Sequence, residues 1–338
     1  MAVEQKGFLT EYLADKGVPF VICRFPPWRS PLGWIAVWPL FYRSIKAFVK
    51  EHAPGGIDLV HGNNVGEGGI AAALAKKFSC GSVMHIRDGY AGEKRVMKYR
   101  GGEMSCLVVL SQAMRKEASQ WKGVRAVEKI YDCLDPDFYE WGRKDDGGKD
   151  ADSSEAAVLV MGDSGPGKGW LTAAEAINLM GPERENVRWV FLGASREDEV
   201  REIRGVLEQC KPGVRCEFPG RRDDVGAFYR NAGVVLFPSK KESFGRVVIE
   251  AGMFSRPLVS ARVGVAGEMI VSPDFGWLFR PDDPGDMAKS LTAALKDANR
   301  LEKGKRLHDK VIKECSCSTH NVATRSLYER LTGSPNYQ

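Results

Sequence analysis

Two carboxylates, Glu242 and Glu250, flank a Ser-Phe-Gly sequence that follows the apolar run 234–238. The apolar run predicts a strand, and the pattern from Gly245 onward predicts a helix that contains Glu250. Glycine at the start of a helix lets backbone N–H groups approach a phosphate, whose negative charge the helix dipole favours. A carboxylate within that helix can accept hydrogen bonds from both hydroxyls of a ribose. These residue types therefore fit a ligand that carries both phosphate and sugar.

Lys168 lies in a Gly-Pro-Gly-Lys-Gly sequence after the predicted strand 157–162. Such a sequence is more often a solvated turn, but at the start of a helix the lysine would place a cation on a diphosphate. It is not a Walker A loop, because neither Ser nor Thr follows the lysine. Asp163 in the same loop would repel a bound phosphate, so either phosphate binding is weakened or another cation compensates. The candidate cations are Arg221, Arg222 and Lys241.

The 338-residue chain is 43% hydrophobic and 28% charged, which is typical of soluble globular proteins, and its length favours two domains. Apolar runs alternate with amphipathic helical patterns in both halves, which predicts an α/β fold with parallel sheets covered on both faces. Strands are predicted at 18–23, 57–61, 81–86, 106–110, 126–130, 157–162, 187–193, 214–219, 234–238, 257–260 and 276–279. Helices are predicted at 7–16, 34–50, 68–78, 112–121, 168–180, 197–209, 224–231, 245–254, 284–297 and 301–331.

The predicted domain boundary is the polar segment 142–155, in which Ala151 is the only apolar residue. A segment of this composition cannot bury a core and is predicted to be a flexible linker. The predicted first domain is 1–141 and the predicted second domain is 156–310. The remaining residues, 311–338, are predicted to form a C-terminal helix and tail.

The run 237–268 resembles the donor-binding signature of family 4 retaining glycosyltransferases. The shared order is a strand, Pro-Ser, Glu-x-Phe-Gly, a second Glu, an apolar strand, and then glycines and Glu268. Segment 158–169 is similar to the family's strand and Lys-Gly helix start, and 219–229 to the segment beside the nucleotide base. The resemblance implies the GT-B architecture, in which two Rossmann-like domains have parallel sheets facing a central cleft.

The resemblance also implies roles for individual residues. Glu242, His85 and Lys168 would be catalytic, with Lys168 neutralising the leaving diphosphate and Glu250 holding the ribose. The implied donor-binding residues are Lys168, Gly169, Ser243, Phe244, Gly245, Glu250, Arg222 and Glu268.

The first half matches the family less closely. Segment 84–88 resembles a strand whose family counterpart contributes a histidine to the sugar site, which favours His85, whereas His61 is equally compatible with a structural role. Residues 2–5 resemble the stretch directly after the family's first strand and glycine-rich turn. The first domain is therefore predicted to lack that strand, which leaves open a fragment, a misplaced start or a degenerate member.

The function implied is retaining transfer of a sugar from a nucleoside diphosphate-sugar to a glycan, lipid or small-molecule acceptor. The alternative is a catalytically impaired homologue that binds sugar nucleotides or acts as a scaffold; a GT-B-shaped epimerase or phosphorylase fits the Glu-x-Phe-Gly run less well. The nucleoside diphosphate-sugar is a co-substrate, and neither a cofactor nor a metal is expected. Asp135 and Asp137 have the spacing of a metal motif but are interpreted as a turn.

Composition limits the partners and the location. The net charge of +5 suits a phosphate-bearing ligand or an anionic membrane surface but is too weak to indicate nucleic acid. The eight cysteines lack zinc-site spacing and are predicted to be reduced thiols, with Cys315-Ser-Cys317 interpreted as a helix end and not a redox site. Neither a signal peptide nor a membrane-spanning run of about 20 apolar residues is found, which predicts a cytoplasmic protein. The aromatic stretch 25–42 fits an acceptor or peripheral membrane face, or a packed core helix.

Overall fold

The computed structural model describes residues 1–28, 30–88, 91–134, 156–209 and 213–333. The chain forms two compact units. The first comprises Met1–Val109, Arg115–Glu128 and the end of the chain from Thr324, and the second comprises Leu110–Met114 and Lys129–Ala323. The predicted linker 142–155 lies outside the described residues, as do Asp135 and Asp137. The units differ from the predicted domains because 110–114 group with the second unit and the end of the chain groups with the first.

The first unit contains two parallel sheets. Its strands are β1 (Ala2–Val3), β2 (Val21–Ile22), β3 (Leu59–Gly62), β4 (Gly81–Ile86), β5 (Cys106–Val109) and β6 (Val127–Lys129), whose last residue belongs to the second unit. β1 pairs with β2, and the other strands follow the order β3-β4-β5-β6. The helices are α1 (Phe8–Asp15), α2 (Pro31–His52), α3 (Gly68–Phe78), α4 (Glu93–Lys98) and α5 (Gln112–Ala118), which begins among residues of the second unit.

Two elements of the first unit differ in length from the prediction. The predicted strand 18–23 is reduced to β2, because Pro19 has no N–H and its carbonyl accepts from the terminal amine of Met1. α2 begins earlier than predicted, since the Ser30 side chain accepts the N–H of Gly33 at 3.0 Å and Pro31 occupies the first helical position.

The second unit contains one parallel sheet of six strands in the order β12-β11-β10-β7-β8-β9. They are β7 (Ala156–Met161), β8 (Val187–Leu192), β9 (Arg215–Gly220), β10 (Val234–Phe237), β11 (Leu258–Ala261) and β12 (Trp277–Phe279). The helices are α6 (Trp170–Leu179), α7 (Glu197–Leu207), α8 (Val225–Arg230), α9 (Arg246–Met253), α10 (Ala266–Met269), α11 (Pro284–Lys296), α12 (Arg300–Cys315) and α13 (Cys317–Thr332), which continues into the first unit from Thr324. Single 3-10 turns occur at Val65–Glu67 and Gly101–Glu103 in the first unit and at Pro182–Arg184 in the second.

Both faces of this sheet are buried, as the continuous apolar strands predict. Leu159 of β7 belongs to one hydrophobic cluster with Val235 of β10. Their neighbours Val160 and Leu236 belong to a second cluster on the opposite face. The alternation follows the two-residue period of a strand and leaves only the strand ends available for a ligand.

The sheet reverses its direction of growth between β7 and β10. β7 is followed along the chain by β8 on one side, and β10 is followed by β11 on the other side. In open parallel sheets this reversal creates a crevice outside the carboxyl ends of the two strands, where ligands bind. The loops after Met161 and Phe237 are therefore the expected position of a ligand site.

The end of the chain is not one helix. Ser316 has an extended backbone (ψ 153°) and separates α12 from α13. Leu307 and Val311 of α12 are buried, and α13 ends in the first unit with Leu327 buried. The helices of the described ranges include none with the length and apolar character needed to cross a bilayer.

Candidate functional site

The loops that follow β7 and β10 are joined through their backbones. The N–H of Lys240 donates to the carbonyl oxygen of Gly167 at 2.9 Å. Gly169 has φ +78°, and a Cβ at this position would lie 2.0 Å from the carbonyl oxygen of Pro238. Only glycine combines that backbone conformation with so close an approach. The position of Lys168, between Gly167 and Gly169, is therefore fixed by both loops.

Lys168 and Glu242 meet where the two loops come together. Lys168 Nζ lies 2.6 Å from Glu242 Oε1, which also accepts the hydroxyl hydrogen of Ser239 at 2.9 Å. The Lys168 side chain is 35% exposed and that of Glu242 is 16% exposed. A partly exposed cation thus stands at the carboxyl edge of the sheet, next to a carboxylate that can also accept hydrogen bonds from a ligand.

The turn after Glu242 leads into α9. Ser243 and Phe244 are buried, and the Phe244 carbonyl accepts the N–H of Val265 at 2.8 Å. Gly245 has φ +86° and precedes the first residue of α9, with its α-hydrogen side facing the Phe237 ring. The sequence prediction that a glycine starts this helix is confirmed, and the first N–H groups of α9 have no partner within the helix itself.

Glu250 lies on α9 and is largely buried. Its Oε2 accepts the hydroxyl hydrogen of Tyr229 at 2.7 Å, and its Oε1 is 3.6 Å from the Arg246 guanidinium. Burial raises the pKa of Glu250 above its ordinary value, while Tyr229 and Arg246 oppose that shift. The same burial, with the nearby carboxylate, raises the pKa of Tyr229, so its hydroxyl remains a donor.

Glu268 lies on α10, and both carboxylate oxygens already accept hydrogen bonds. Oε1 accepts the N–H of Gln112 at 2.7 Å, and Oε2 accepts the hydroxyl hydrogen of Tyr131 at 2.5 Å. Lys129 Nζ is 3.5 Å from Oε2. The carboxylate therefore fixes the segments around Gln112 and Tyr131 in the second unit, in addition to any contact with a ligand.

Arg222 and Asp163 are engaged with nearby groups of their own loops. The guanidinium of Arg222 donates to both carboxylate oxygens of Asp224, at 2.9 and 3.1 Å. Asp163 Oδ1 accepts the N–H of Gly165 at 3.0 Å, which shapes the loop before Lys168. A role for Arg222 in compensating Asp163 would thus require it to leave Asp224.

His85 belongs to the first unit. It lies on β4, where Ser82–Ile86 are all buried, and its ring centroid is 5.8 Å from that of His61. His61 Nδ1 is 2.5 Å from the hydroxyl of Tyr328 on α13. His61 thus has a structural contact within this unit.

Sequence reasoning did not identify Tyr229 and Tyr131 as partners of Glu250 and Glu268. Both tyrosines lie within predicted elements or at their ends, where they were indistinguishable from packing residues. The available signal was chemical, because a buried tyrosine hydroxyl needs a hydrogen-bond partner. The partner could not be identified, since 137 positions separate Tyr131 from Glu268.

The model of the family glycosyl transferases group 1 matches residues 143–313 of the chain. A D-inositol 3-phosphate glycosyltransferase of Xylanimonas cellulosilytica is 38% identical over 122 residues, which are 34% of this chain and 29% of that protein. An uncharacterized glycosyltransferase of Methanocaldococcus jannaschii is 30% identical over 121 residues, 34% of each protein. The matched part of the chain spans about a third of the length of these relatives.

Solved structures resemble nearly the whole chain. Anabaena HepE in complex with UDP has a TM-score of 0.77 at 18% identity, over 96% of this chain and 90% of that one. Sucrose-phosphate synthase from Thermosynechococcus elongatus has a TM-score of 0.73 at 20% identity, over 94% and 84%. At such identities the likeness establishes the fold, which is the predicted α/β GT-B fold with parallel sheets.

Proposed function

The chain belongs to the glycosyl transferases group 1 family, and from this premise we propose that it transfers a sugar from a nucleoside diphosphate-sugar with retention of anomeric configuration. The acceptor is a glycan, a lipid or a small molecule. The observation that carries the proposal is the contact between Lys168 and Glu242 at the reversal point of the second sheet.

Lys168 supplies the positive charge that the departing diphosphate needs. When the glycosidic bond breaks, negative charge develops on the diphosphate, and a fixed cation stabilises the transition state more than the ground state. In the free protein Glu242 holds this cation at 2.6 Å. On donor binding, Lys168 turns to the diphosphate, and Glu242 accepts a hydroxyl of the sugar.

Glu250 binds the ribose, with Tyr229 setting its orientation. Because Oε2 is held by the Tyr229 hydroxyl at 2.7 Å, the carboxylate cannot rotate freely. The first N–H groups of α9, after Gly245, donate to the diphosphate together with the positive end of the helix dipole. Glu268 and Arg222 complete the donor site in this proposal, and His85 contacts the sugar, a role that rests on the family resemblance.

The proposed donor nucleotide is a uridine diphosphate, because the similar Anabaena HepE structures contain UDP or UDP-glucose. The charge compensation is assigned to Lys168 and to α9, and the proposed reaction needs no metal. Transfer that persists in excess EDTA supports this assignment, and transfer that requires added Mg²⁺ contradicts it.

Calorimetry with UDP, GDP and ADP tests the donor site. We expect UDP to bind more tightly than GDP or ADP, and Glu250→Ala to weaken UDP binding by about 10-fold or more, because hydrogen bonds to a charged group are lost. Glu202→Ala is the matched control, since Glu202 is an exposed glutamate on α7. If none of the three binds and Glu250→Ala matches the unaltered protein, the proposal is wrong.

Asp163 favours one alternative, a homologue that binds sugar nucleotides without transferring the sugar. Its carboxylate stands in the loop before Lys168 and would repel a diphosphate. Binding of UDP-glucose without hydrolysis or transfer to any acceptor supports this alternative. Release of glucose with the α configuration, followed by NMR, supports the retaining transferase.

We also propose that α2 contacts an anionic lipid surface. Leu32, Ile35 and Leu40 are exposed by 81%, 68% and 69%. The same helix face continues with the exposed cations Arg43, Lys46 and Lys50, which complement lipid phosphates.

Sedimentation with lipid vesicles tests the contact at α2. We expect binding to vesicles that contain phosphatidylserine and much less to phosphatidylcholine vesicles, with loss of binding in Ile35→Ser. Val322→Ser is the control, since Val322 is 66% exposed but lies in the second unit. Equal losses in both variants would contradict the assignment to α2.

A further inference from the structure

Two thiols of the second unit are in contact although they are distant in sequence. Cys133 Sγ and Cys317 Sγ are 3.0 Å apart, and 184 positions separate the residues. Both are free thiols and both are partly exposed, so a small oxidant can reach them. A disulfide holds its sulfurs about 2.05 Å apart, so bond formation requires a movement of only about 1 Å.

Hydrogen bonds hold the two segments that carry these thiols against each other. The Cys317 thiol lies 2.7 Å from the carbonyl oxygen of Leu134, and His320 Nδ1 donates to the carbonyl oxygen of Tyr131 at 2.7 Å. Ser316 Oγ accepts the N–H of Thr319 at 3.2 Å, which fixes the first turn of α13. The contact between the two thiols is thus stabilised by hydrogen bonds to Tyr131 and Leu134, which flank Cys133, and by the fixed first turn of α13.

We propose that Cys133 and Cys317 form a redox site that low-molecular-weight disulfides, of the class of oxidised glutathione, convert reversibly into an intramolecular disulfide. The Cys317 thiolate attacks one glutathione sulfur, which forms a mixed disulfide and releases one glutathione. The Cys133 thiolate then attacks Cys317 Sγ and releases the second glutathione. Two electrons and two protons pass from the cysteines to glutathione, and the new bond ties 131–134 to α13.

This assignment changes the sequence interpretation of Cys315-Ser-Cys317. The sequence indicated a helix end, and Ser316 does separate two helices. Cys317, however, has a partner thiol that no sequence spacing reveals. Cys315 is only 4% exposed and serves as a matched control two positions away.

The rate of bond formation should rise with pH. Burial, the neighbouring Cys317 thiol and the charge of Asp132 raise the pKa of Cys133 above its ordinary value, so its thiolate is scarce at neutral pH. Because the thiolate is the attacking species, closure of the bond accelerates about 10-fold per pH unit in this range.

The test treats the full chain with oxidised glutathione at pH 8.5, followed by intact mass and peptide mapping. We expect a loss of about 2 Da and of about 2 titratable thiols per chain, with one linked peptide pair that contains Cys133 and Cys317. Dithiothreitol should restore both thiols. Cys133→Ser and Cys317→Ser should each abolish the internal link, whereas Cys315→Ser should retain it.

Three results would overturn the proposal: an unchanged thiol count, a persistent glutathione adduct without an internal link, or a link that uses Cys315 instead. The peptide map of the unaltered chain decides the matter even if a serine variant fails to fold.

Discussion

Tyr229 donates its hydroxyl hydrogen to Glu250 at 2.7 Å, and the pair lies between α8 and α9. The tyrosine is fully buried and the glutamate largely so. A charged carboxylate in such a position costs stability that its hydrogen bond only partly offsets. Glu250 is also the residue proposed to bind a ribose. The stability of the second unit should therefore depend on whether its ligand is bound.

The first prediction concerns the pH dependence of stability in Glu250→Gln. Burial raises the pKa of Glu250 in the folded chain, so the folded state binds this proton more tightly than the unfolded state does. The stabilisation of the folded chain by protonated Glu250 is fully present below about 4.3, the pKa of a glutamate in the unfolded chain. It is lost as pH rises through the higher pKa that Glu250 has in the folded chain. Urea unfolding should therefore find Glu250→Gln more stable than the unaltered protein at pH 8.

The difference in the free energy of unfolding between Glu250→Gln and the unaltered protein should shrink as pH falls from 8 toward about 4.3, the pKa of a glutamate in the unfolded chain. Glu202→Gln, on the exposed side of α7, should show little difference at any pH. A Glu250→Gln difference that stays constant over this range would exclude titration of Glu250 as its cause.

The second prediction separates the roles of Lys168 and Glu242. Lys168→Ala should weaken UDP binding by about 10-fold or more, because a charge-assisted hydrogen bond to the diphosphate is lost. Glu242→Gln should instead strengthen UDP binding a few-fold, since Lys168 is released from its 2.6 Å contact. Hydrolysis of the donor sugar should fall in both variants.

Calorimetry and donor hydrolysis measure these effects, with Lys289→Ala as a control on an exposed lysine of α11. If Glu242→Gln weakens UDP binding as strongly as Lys168→Ala, Glu242 does not compete with the diphosphate for the lysine.

The third prediction concerns the acidic loop residue. Asp163→Asn should strengthen UDP binding by about 5-fold or more, because the repulsion between two unit charges about 4 Å apart is about 1 kcal/mol even at the dielectric constant of water. The amide oxygen can still accept the N–H of Gly165, so the loop should keep its shape. Asp198→Asn, at an exposed position on α7, should leave the affinity within error, and an equal gain there would indicate a general charge effect.

The fourth prediction is structural. Gly169→Ala should lower stability by about 3 kcal/mol or more, because the added methyl meets a carbonyl oxygen and the backbone has a positive φ. Gly205→Ala is the matched control, since no atom lies within 4 Å of a Cβ there. On a helix this change should stabilise by up to about 1 kcal/mol. Equal midpoints for both variants in thermal unfolding would refute the stated role of Gly169.

Strand positions in the second unit were predictable because burial on both faces demands continuous apolar runs. The residues after β7 and β10 were predictable as site residues for the same reason, since function concentrates after parallel strands. The contact between Lys168 and Glu242 was not, because 74 positions separate them and strand order decides their distance. The helical structure predicted for 301–331 is confirmed by α12 and α13, but the break at Ser316 was not predicted, because composition did not indicate its extended backbone.

The hydrogen bond between His61 and Tyr328 has a consequence for synthesis on the ribosome. Residues 1–109 belong to the first unit, but the part of α13 that completes it emerges only after all of the second unit has been translated. The first unit therefore remains incomplete on the ribosome while the second unit is synthesised. This reverses the usual order, in which N-terminal domains finish folding first.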